Sequence, residues 1–470
     1  MSETLLAAFV REGVERLYDE DPDLSSVLEE EYRRQTETLV MVASCTPADP
    51  SVLACEAMVP VNVTAEGYPG KRYHAGCRVV DRIEQLAIDR ARAAFGARYA
   101  NVQPHSATTA NYAVLSRLLR PGDRILGMQL DYGGHLTHGA KVAYSGSYFD
   151  SHGYGLDAAG QIDYAQAERL AFELRPQLII CGATAYPRQV DFARFRAIAD
   201  AVGAYLLADI SHIAGLVTAG LHPSPIDHAH ITTTCTHKQL YGPRGGLILI
   251  GRDADAPAPD GKQTLSELMQ RAIFPFFQGA PILNAIAAKA RALARVMEPQ
   301  FRQRMERVIA DSRALAAYLR SEGWPVLTGG SDNHIVLFDV SSRGLTGLIA
   351  EEALEDSGIV VNKNRIPGDR KPALVTSGIR LGTNTMALRG MGPEEVVQGA
   401  RLMHRVLTAM EPLGDREYRL DPVVREEVRA EVAELCRRFP IPRYPLQPDD
   451  LPEIPTMEIP LLQEGGLCHG

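Results

Sequence analysis

No Cys-x-x-Cys pair occurs in this 470-residue sequence, although it holds seven cysteines (Cys45, Cys55, Cys77, Cys181, Cys235, Cys436 and Cys468). An odd, scattered set of thiols fits neither a zinc centre nor a disulfide framework, so no metal site is expected. Basic residues are not in excess either: 49 Lys+Arg stand against 58 Asp+Glu, a net charge of −9. Without a basic stripe to neutralise phosphates, nucleic-acid partners are excluded. No uncharged apolar run approaches the roughly 20 residues of a spanning helix. The stretch from Met1 to Arg11 lacks the apolar core of a signal peptide, and a cytoplasmic chain with no membrane partner is expected. There is no internal repeat. What is present is ordinary globular composition, 45% hydrophobic and 23% charged, in a chain longer than one core usually serves.

The chain divides by pattern. Residues 1–38 read as a polar helical arm, and residues 82–95 as an amphipathic helix. Short apolar runs then alternate with helical stretches: 124–129, 177–183, 204–209, 230–234 and 245–251, with a helix-periodic segment ending at Gly203. Nearly continuous apolar strands separated by helices imply a parallel α/β sheet covered on both faces. A long helical pattern over 283–320 leads to a second α+β unit, with strands at 334–340 and 358–364, a helix near 345–357 and a helix-rich 394–438. From Pro440 the chain is proline-rich and reads as irregular. The boundaries expected are an N-terminal arm over 1–45, a large domain over 46–290 and a smaller C-terminal one over 291–470.

Three features carry chemistry. Asp209, in Ala-Asp-Ile-Ser-His (208–212), ends an apolar strand, where α/β sheets bind ligands; a carboxylate there is costly unless it meets a cation. Alone, it could equally be a helix cap. Lys238, in Thr-Thr-Thr-Cys-Thr-His-Lys (232–238), also leaves a strand and precedes a glycine-rich turn. A desolvated lysine is an amine able to condense with an aldehyde, though a lone lysine is usually solvated surface. Ser106 and Thr108, in Gln-Pro-His-Ser-Ala-Thr-Thr-Ala-Asn (103–111), enter a helix whose backbone N–H groups could cradle a phosphate, or merely cap it. Aldehyde, ring nitrogen and phosphate together describe pyridoxal 5′-phosphate.

From about residue 30 to 410 the chain resembles serine hydroxymethyltransferases. The resemblance rests on TAEGYPGKRYHAGCRVVDRIEQLAIDRA (64–91), YANVQPHS (99–106), GGHLTHG (133–139), ADISHIAGLV (208–217), THKQLYGPRGGLIL (236–249) and VTSGIRLGT (375–383). It implies a fold-type I pyridoxal-phosphate transferase, with a mostly parallel seven-stranded sheet and a smaller C-terminal α+β domain. By the same resemblance Lys238 holds the cofactor covalently and Asp209 pairs with its ring nitrogen. His135 stacks on the ring, His212 lies at its phenolic side, and Ser106, Ala107 and Thr108 take the phosphate. Thr184 and His237 join the cofactor-binding set. Arg380 clamps the carboxylate of a small amino-acid substrate, supported by Ser44. Glu66 is the acid/base group and reaches in from a neighbouring subunit, which implies a homodimer or homotetramer with shared sites. Asn362, Asn364 and Pro367 lie in a segment resembling the family's folate-side loop, so tetrahydrofolate is the expected co-substrate.

The departures fall on the substrate side. Thr64 and His74 stand where the family usually has tyrosines. Cys45-Thr46 replace Glu-Asn, Ala107-Thr108-Thr109 replace Gly-Ser-Gln, Cys235 replaces threonine, and Phe276-Phe277 replace a glycine pair. Thr64 frees volume for a methyl group at Cα, so serine and α-methylserine are both candidate substrates. Alternatively the folate step is lost, and the scaffold serves threonine aldol chemistry, or elimination or decarboxylation of an unusual amino acid such as a cysteine S-conjugate. His74 is either a proton shuttle beside Glu66 or a space-filler. Cys235 reads as packing. A regulator without catalysis is disfavoured by Lys238, Asp209 and Arg380 standing together.

Overall fold

The computed structural model describes residues 4–445. Most of the proline-rich tail, and Cys468 with it, lies outside the described residues. Seven strands form the central sheet: β1 (Tyr99–Asn101), β2 (Arg124–Met128), β3 (Asp150–Tyr154), β4 (Leu178–Cys181), β5 (Tyr205–Asp209), β6 (Ile231–Cys235) and β7 (Gly246–Ile250). Their order is β1-β7-β6-β5-β4-β2-β3. Only β7 runs against its neighbours β1 and β6; the pairs from β6 to β3 are parallel. Strands β4, β6 and β7 are buried along their whole length, as continuous apolar or threonine runs covered on both faces must be. The parallel, doubly covered sheet expected from the alternation is therefore present.

One apolar core lies between the sheet and helices that include Arg78–Phe95, Phe192–Val202 and Leu283–Val296. A second core gathers Trp324, Phe338, Ile349, Ile379, Val406 and Val432 around a three-stranded sheet, β8 (Ile335–Asp339), β9 (Asn362–Asn364) and β10 (Gly378–Gly382), ordered β8-β10-β9. The helical pattern over 283–320 resolves into two helices, Leu283–Val296 and Pro299–Ser321. Pro299 sits at the first turn of the second, where its missing N–H costs nothing; further back it would break the ladder. That second helix gives Phe301, Met305 and Val308 to the first core and Leu315 and Leu319 to the second. Leu39 and Met41, from the end of the N-terminal arm, also pack in the second core. The run 358–364 splits in two because its halves pair differently: Ile359–Val360 lies parallel to Leu39–Val40, while Asn362–Asn364 pairs with Gly378–Arg380. Among the described residues no helix is long and apolar enough to cross a membrane.

Candidate active site

The site forms at the carboxyl ends of β5 and β6. Asp209 closes β5, and its carboxylate is buried among four donors. Oδ1 accepts from the Ser211 N–H (3.0 Å) and hydroxyl (2.6 Å). Oδ2 accepts from Asn111 Nδ2 (2.8 Å) and faces His138 Nε2 at 3.1 Å. Asn111 is fixed in turn by the Thr233 hydroxyl at 2.5 Å, and His135 Nδ1 lies 2.8 Å from the Thr137 hydroxyl. Burial pushes the Asp209 carboxyl up; the His138 contact, the charges of His138 and His135 and the Ser211 hydrogen bond outweigh it and hold the group below the usual carboxylate range. His135, His138 and Asp209 have ligand-type atoms within 4.8 Å of one another. Their mutual hydrogen bonds account for that closeness without an ion.

Lys238 lies just past β6 in a tight loop. The Thr236 N–H reaches Gly245 O (3.1 Å), the Gly242 N–H reaches Thr236 O (2.9 Å), and the Thr236 hydroxyl donates to Pro243 O (2.6 Å). Thr46, from the far N-terminal side, places its hydroxyl 2.6 Å from His237 O and 2.7 Å from Lys238 O. Burial, followed by the charges of Lys238 and Arg380, drives His212 far below the ordinary histidine range. Burial and the same two cations, Arg380 first, push His334 down to about 3. Burial and then His138 lower His135 to about 4, and burial and then Lys238 lower His237 to about 4. These imidazoles are neutral around one cationic centre. Nδ1 of His212 lies 3.4 Å from Nε2 of His334, with the rings nearly parallel.

Arg380, on β10, donates from Nε to Asn362 Oδ1 (3.0 Å) and from Nη1 to Thr184 O (2.7 Å). Nη2 has no acceptor among the described residues. Burial lowers the guanidinium to about 10, which still leaves it charged. Thr184 turns its hydroxyl to the Gly134 carbonyl (3.1 Å). Ser44 follows Ala43, against which Gly382 packs so closely that a Cβ there would fall 2.4 Å from Ala43 Cα. The end of the Arg380 strand and the Ser44 segment are thereby held side by side. Cys235 is buried with its Sγ 3.5 Å from Ser211 O, and burial raises its thiol pKa, in keeping with packing.

Ser106 caps the helix Ala107–Leu118, its hydroxyl accepting from the Thr109 N–H at 3.0 Å. The N–H groups of Ala107 and Thr108, in the first turn, have no acceptor among the described residues, so two aligned donors at the positive end of a helix are free for an anion. Glu66, His74 and Thr64 lie apart from this cluster. They belong to the segment around the hairpin Gly67–Tyr68/Lys71–Arg72, where Glu66 Oε2 is 3.4 Å from His74 Nε2 and all three side chains are reached by solvent. Within one chain, no hydrogen bond or ion pair among the described residues joins Glu66 to Lys238, Asp209 or Arg380.

A buried, donor-ringed carboxylate, an amine just past the next strand end and a helix N-terminus could receive the ring nitrogen, aldehyde and phosphate of one cofactor. Fold and site thus define a pyridoxal-phosphate enzyme of fold type I, acting at the α-carbon of amino acids. A family model described as serine hydroxymethyltransferase matches residues 17–403. The chain belongs to the serine hydroxymethyltransferase family, whose co-substrate is tetrahydrofolate. It is 48% identical over 421 residues to the serine hydroxymethyltransferase of Halorhodospira halophila (strain DSM 244 / SL1), an alignment covering 90% of this chain and 97% of that protein. It is 49% identical over 422 residues to that of Alkalilimnicola ehrlichii (strain ATCC BAA-1101 / DSM 17681 / MLHE-1), covering 90% and 96%. With the enzyme of Shewanella pealeana (strain ATCC 700345 / ANG-SQ1) it shares 45% over 425 residues, covering 90% and 97%.

Three site residues escaped sequence reasoning. Asn111 and His138 lie inside stretches that were singled out for Ser106 and His135, yet their meeting on Asp209 needs the fold. Thr46 drew notice only as a departure, and its grip on the Lys238 loop spans 192 positions.

Proposed function

We propose that this chain catalyses the reversible transfer of a hydroxymethyl group between a serine-type amino acid and glycine or its homologue, with tetrahydrofolate as the one-carbon acceptor. The observation that carries this reading is the Arg380–Asn362 hydrogen bond, which ties the amino-acid clamp to the loop resembling the family's folate side. Pyridoxal phosphate supplies the electron sink into which a bond at the amino-acid Cα can be broken. Lys238 holds the cofactor, and Asp209, anionic throughout the working pH range, keeps the ring nitrogen protonated. The free N–H groups at 107 and 108, with Ser106, take the phosphate. Nη2 of Arg380 is left to receive the substrate carboxylate, alongside Ser44. Neutral His212 and His135 add no competing positive charge beside the Arg380 guanidinium.

Glu66 and His74 form a proton-handling pair at 3.4 Å on an exposed hairpin. Val59, Val61, Tyr73, Val79 and Phe276 are at least 48% exposed on and beside that hairpin, an apolar surface that supports a second copy docking there and delivering Glu66 to its partner's Lys238 site. Mixing Glu66→Gln with Lys238→Ala chains, each inactive alone, is then expected to restore about a quarter of wild-type activity. Half the random dimers would be hybrids, each with one intact site. No recovery after co-refolding would defeat the shared-site reading.

Thr64, solvent-exposed two residues before Glu66, favours a second substrate reading in which α-methylserine is accepted. Product analysis of the purified protein decides. L-serine, α-methyl-L-serine, L-threonine and an S-alkyl cysteine are each supplied with and without tetrahydrofolate. Folate-dependent glycine establishes the serine reaction, and folate-dependent alanine the α-methylserine one. Pyruvate, acetaldehyde or carbon dioxide formed regardless of folate would overturn hydroxymethyl transfer.

A further inference from the structure

Lys289 is a buried cation that the reaction above does not use. It sits on the helix Leu283–Val296 with 2% of its surface exposed. Its ammonium forms no ion pair among the described residues. Instead Nζ donates to three main-chain carbonyls, Val102 O at 2.6 Å, Pro104 O at 3.0 Å and Gly246 O at 3.1 Å, which uses every proton it has. Glu84, the acid whose charge acts on it, is already engaged by Arg72 at 2.5 Å and Gln103 at 2.8 Å. A buried charge whose direct partners are all neutral carbonyls is expensive, and an anion in reach of its field lowers that cost.

The three carbonyls say where that anion sits. Val102 and Pro104 belong to the segment that runs from β1 into the Ser106 cap. Gly246 opens β7 against the same cap, since a Cβ on it would meet Ser106 O at 2.3 Å and Ala107 N at 3.0 Å. The ammonium therefore lies directly beneath the backbone that presents the free N–H groups of Ala107 and Thr108. The path to that position is narrow. A Cβ at Gly245 would fall 2.2 Å from Lys289 Cε and 2.7 Å from Nζ, so only glycine at 245 lets the lysine stem pass.

We infer that Lys289 is a positioning residue for the cofactor phosphate, a buried counter-charge that locks the 102–106 segment and the start of β7 into the shape that cradles the phosphate, without touching it. The inference rests on the reading that residues 106–108 hold that phosphate. Burial pushes the ammonium down to about 7 against the pull of Glu84, so a bound dianion also stabilises its charged form.

The test compares pyridoxal phosphate with pyridoxal, which carries the same aldehyde and no phosphate. Apoprotein is titrated with each and the absorbance of the lysine-bound chromophore followed, for wild type, Lys289→Met and Lys289→Gln. The expected result is that both variants lose about tenfold or more of the wild-type preference for pyridoxal phosphate, as when a charge-assisted contact is removed, with pyridoxal affinity unchanged. Should Lys289→Met not fold, Lys289→Gln keeps amide donors for the carbonyls without the charge and serves alone. An unchanged preference in the folded variants, or equal losses for both ligands, would overturn the inference. A wild type without preference for the phosphate form would instead overturn the phosphate seat at 106–108.

Discussion

Lys238→Ala is expected to lower turnover by about 10⁴-fold or more, the scale seen when a covalent catalytic group is removed, with the thermal midpoint of the apoprotein nearly unchanged. The reason lies in how the loop is held. Its shape depends on the Thr236–Pro243, Gly242–Thr236 and Thr46 hydrogen bonds, all of which use main-chain atoms or other side chains. The lysine side chain can be truncated without loosening them. Steady-state rates together with loss of the borohydride-reducible chromophore measure the effect. Rates within tenfold of wild type would remove Lys238 from the mechanism.

Asp209→Asn should cost on the order of 10²-fold in kcat, because an amide of the same shape no longer stabilises a protonated ring nitrogen in a dry site. It should also lower stability by about 1–3 kcal/mol. The carboxylate accepts from Ser211 twice and from Asn111, and faces His138, so the amide NH₂ must confront at least one donor. The two effects separate in a comparison of cofactor-loaded kcat with denaturant midpoints; unchanged kcat in a correctly loaded variant would exclude the assigned role. Because the native pKa of Asp209 is lowered, its stabilising contribution is fully present above the unfolded carboxyl's pKa and is lost as pH falls through the lower native one. The rate profile should therefore show no acid limb from this group above pH 4.

Sequence reading reached the sheet because β4, β6 and β7 are near-continuous apolar or threonine runs, which have few alternatives to a buried strand. Asp209, Lys238 and Ser106 stand out in the sequence for a related reason: each stands where a strand ends or a helix begins, and polar side chains are conspicuous at such junctions. The partners of these residues were less legible. Asn111 and His138 converge on one carboxylate only after strands and helices are stacked. Nothing in the helical pattern over 283–320 marks Lys289, because periodicity cannot distinguish a solvated lysine from one buried beneath a loop. Pro299, by contrast, announced the break between the two long helices, and reading 283–320 as one pattern passed over it. Nor does a single chain place Glu66 at a site, since among the described residues the side-chain hydrogen-bond partner of its carboxylate is His74, eight positions on.

The strand Leu39–Val40 is paired with Ile359–Val360, Met41 O accepts from the Gly382 N–H, and Thr46 then reaches back to the Lys238 carbonyl. During synthesis the ribosome delivers residues 39–41 more than three hundred codons before their partners at 359–382, and Thr46 nearly two hundred before Lys238. The segment that fastens the lysine loop must therefore wait, unpaired, until the second core is made. A nascent chain stopped short of Gly382 can complete its central sheet, but its reactive lysine would still lack half of its anchorage. Acquisition of the cofactor in its native setting is consequently a late event in the life of each chain.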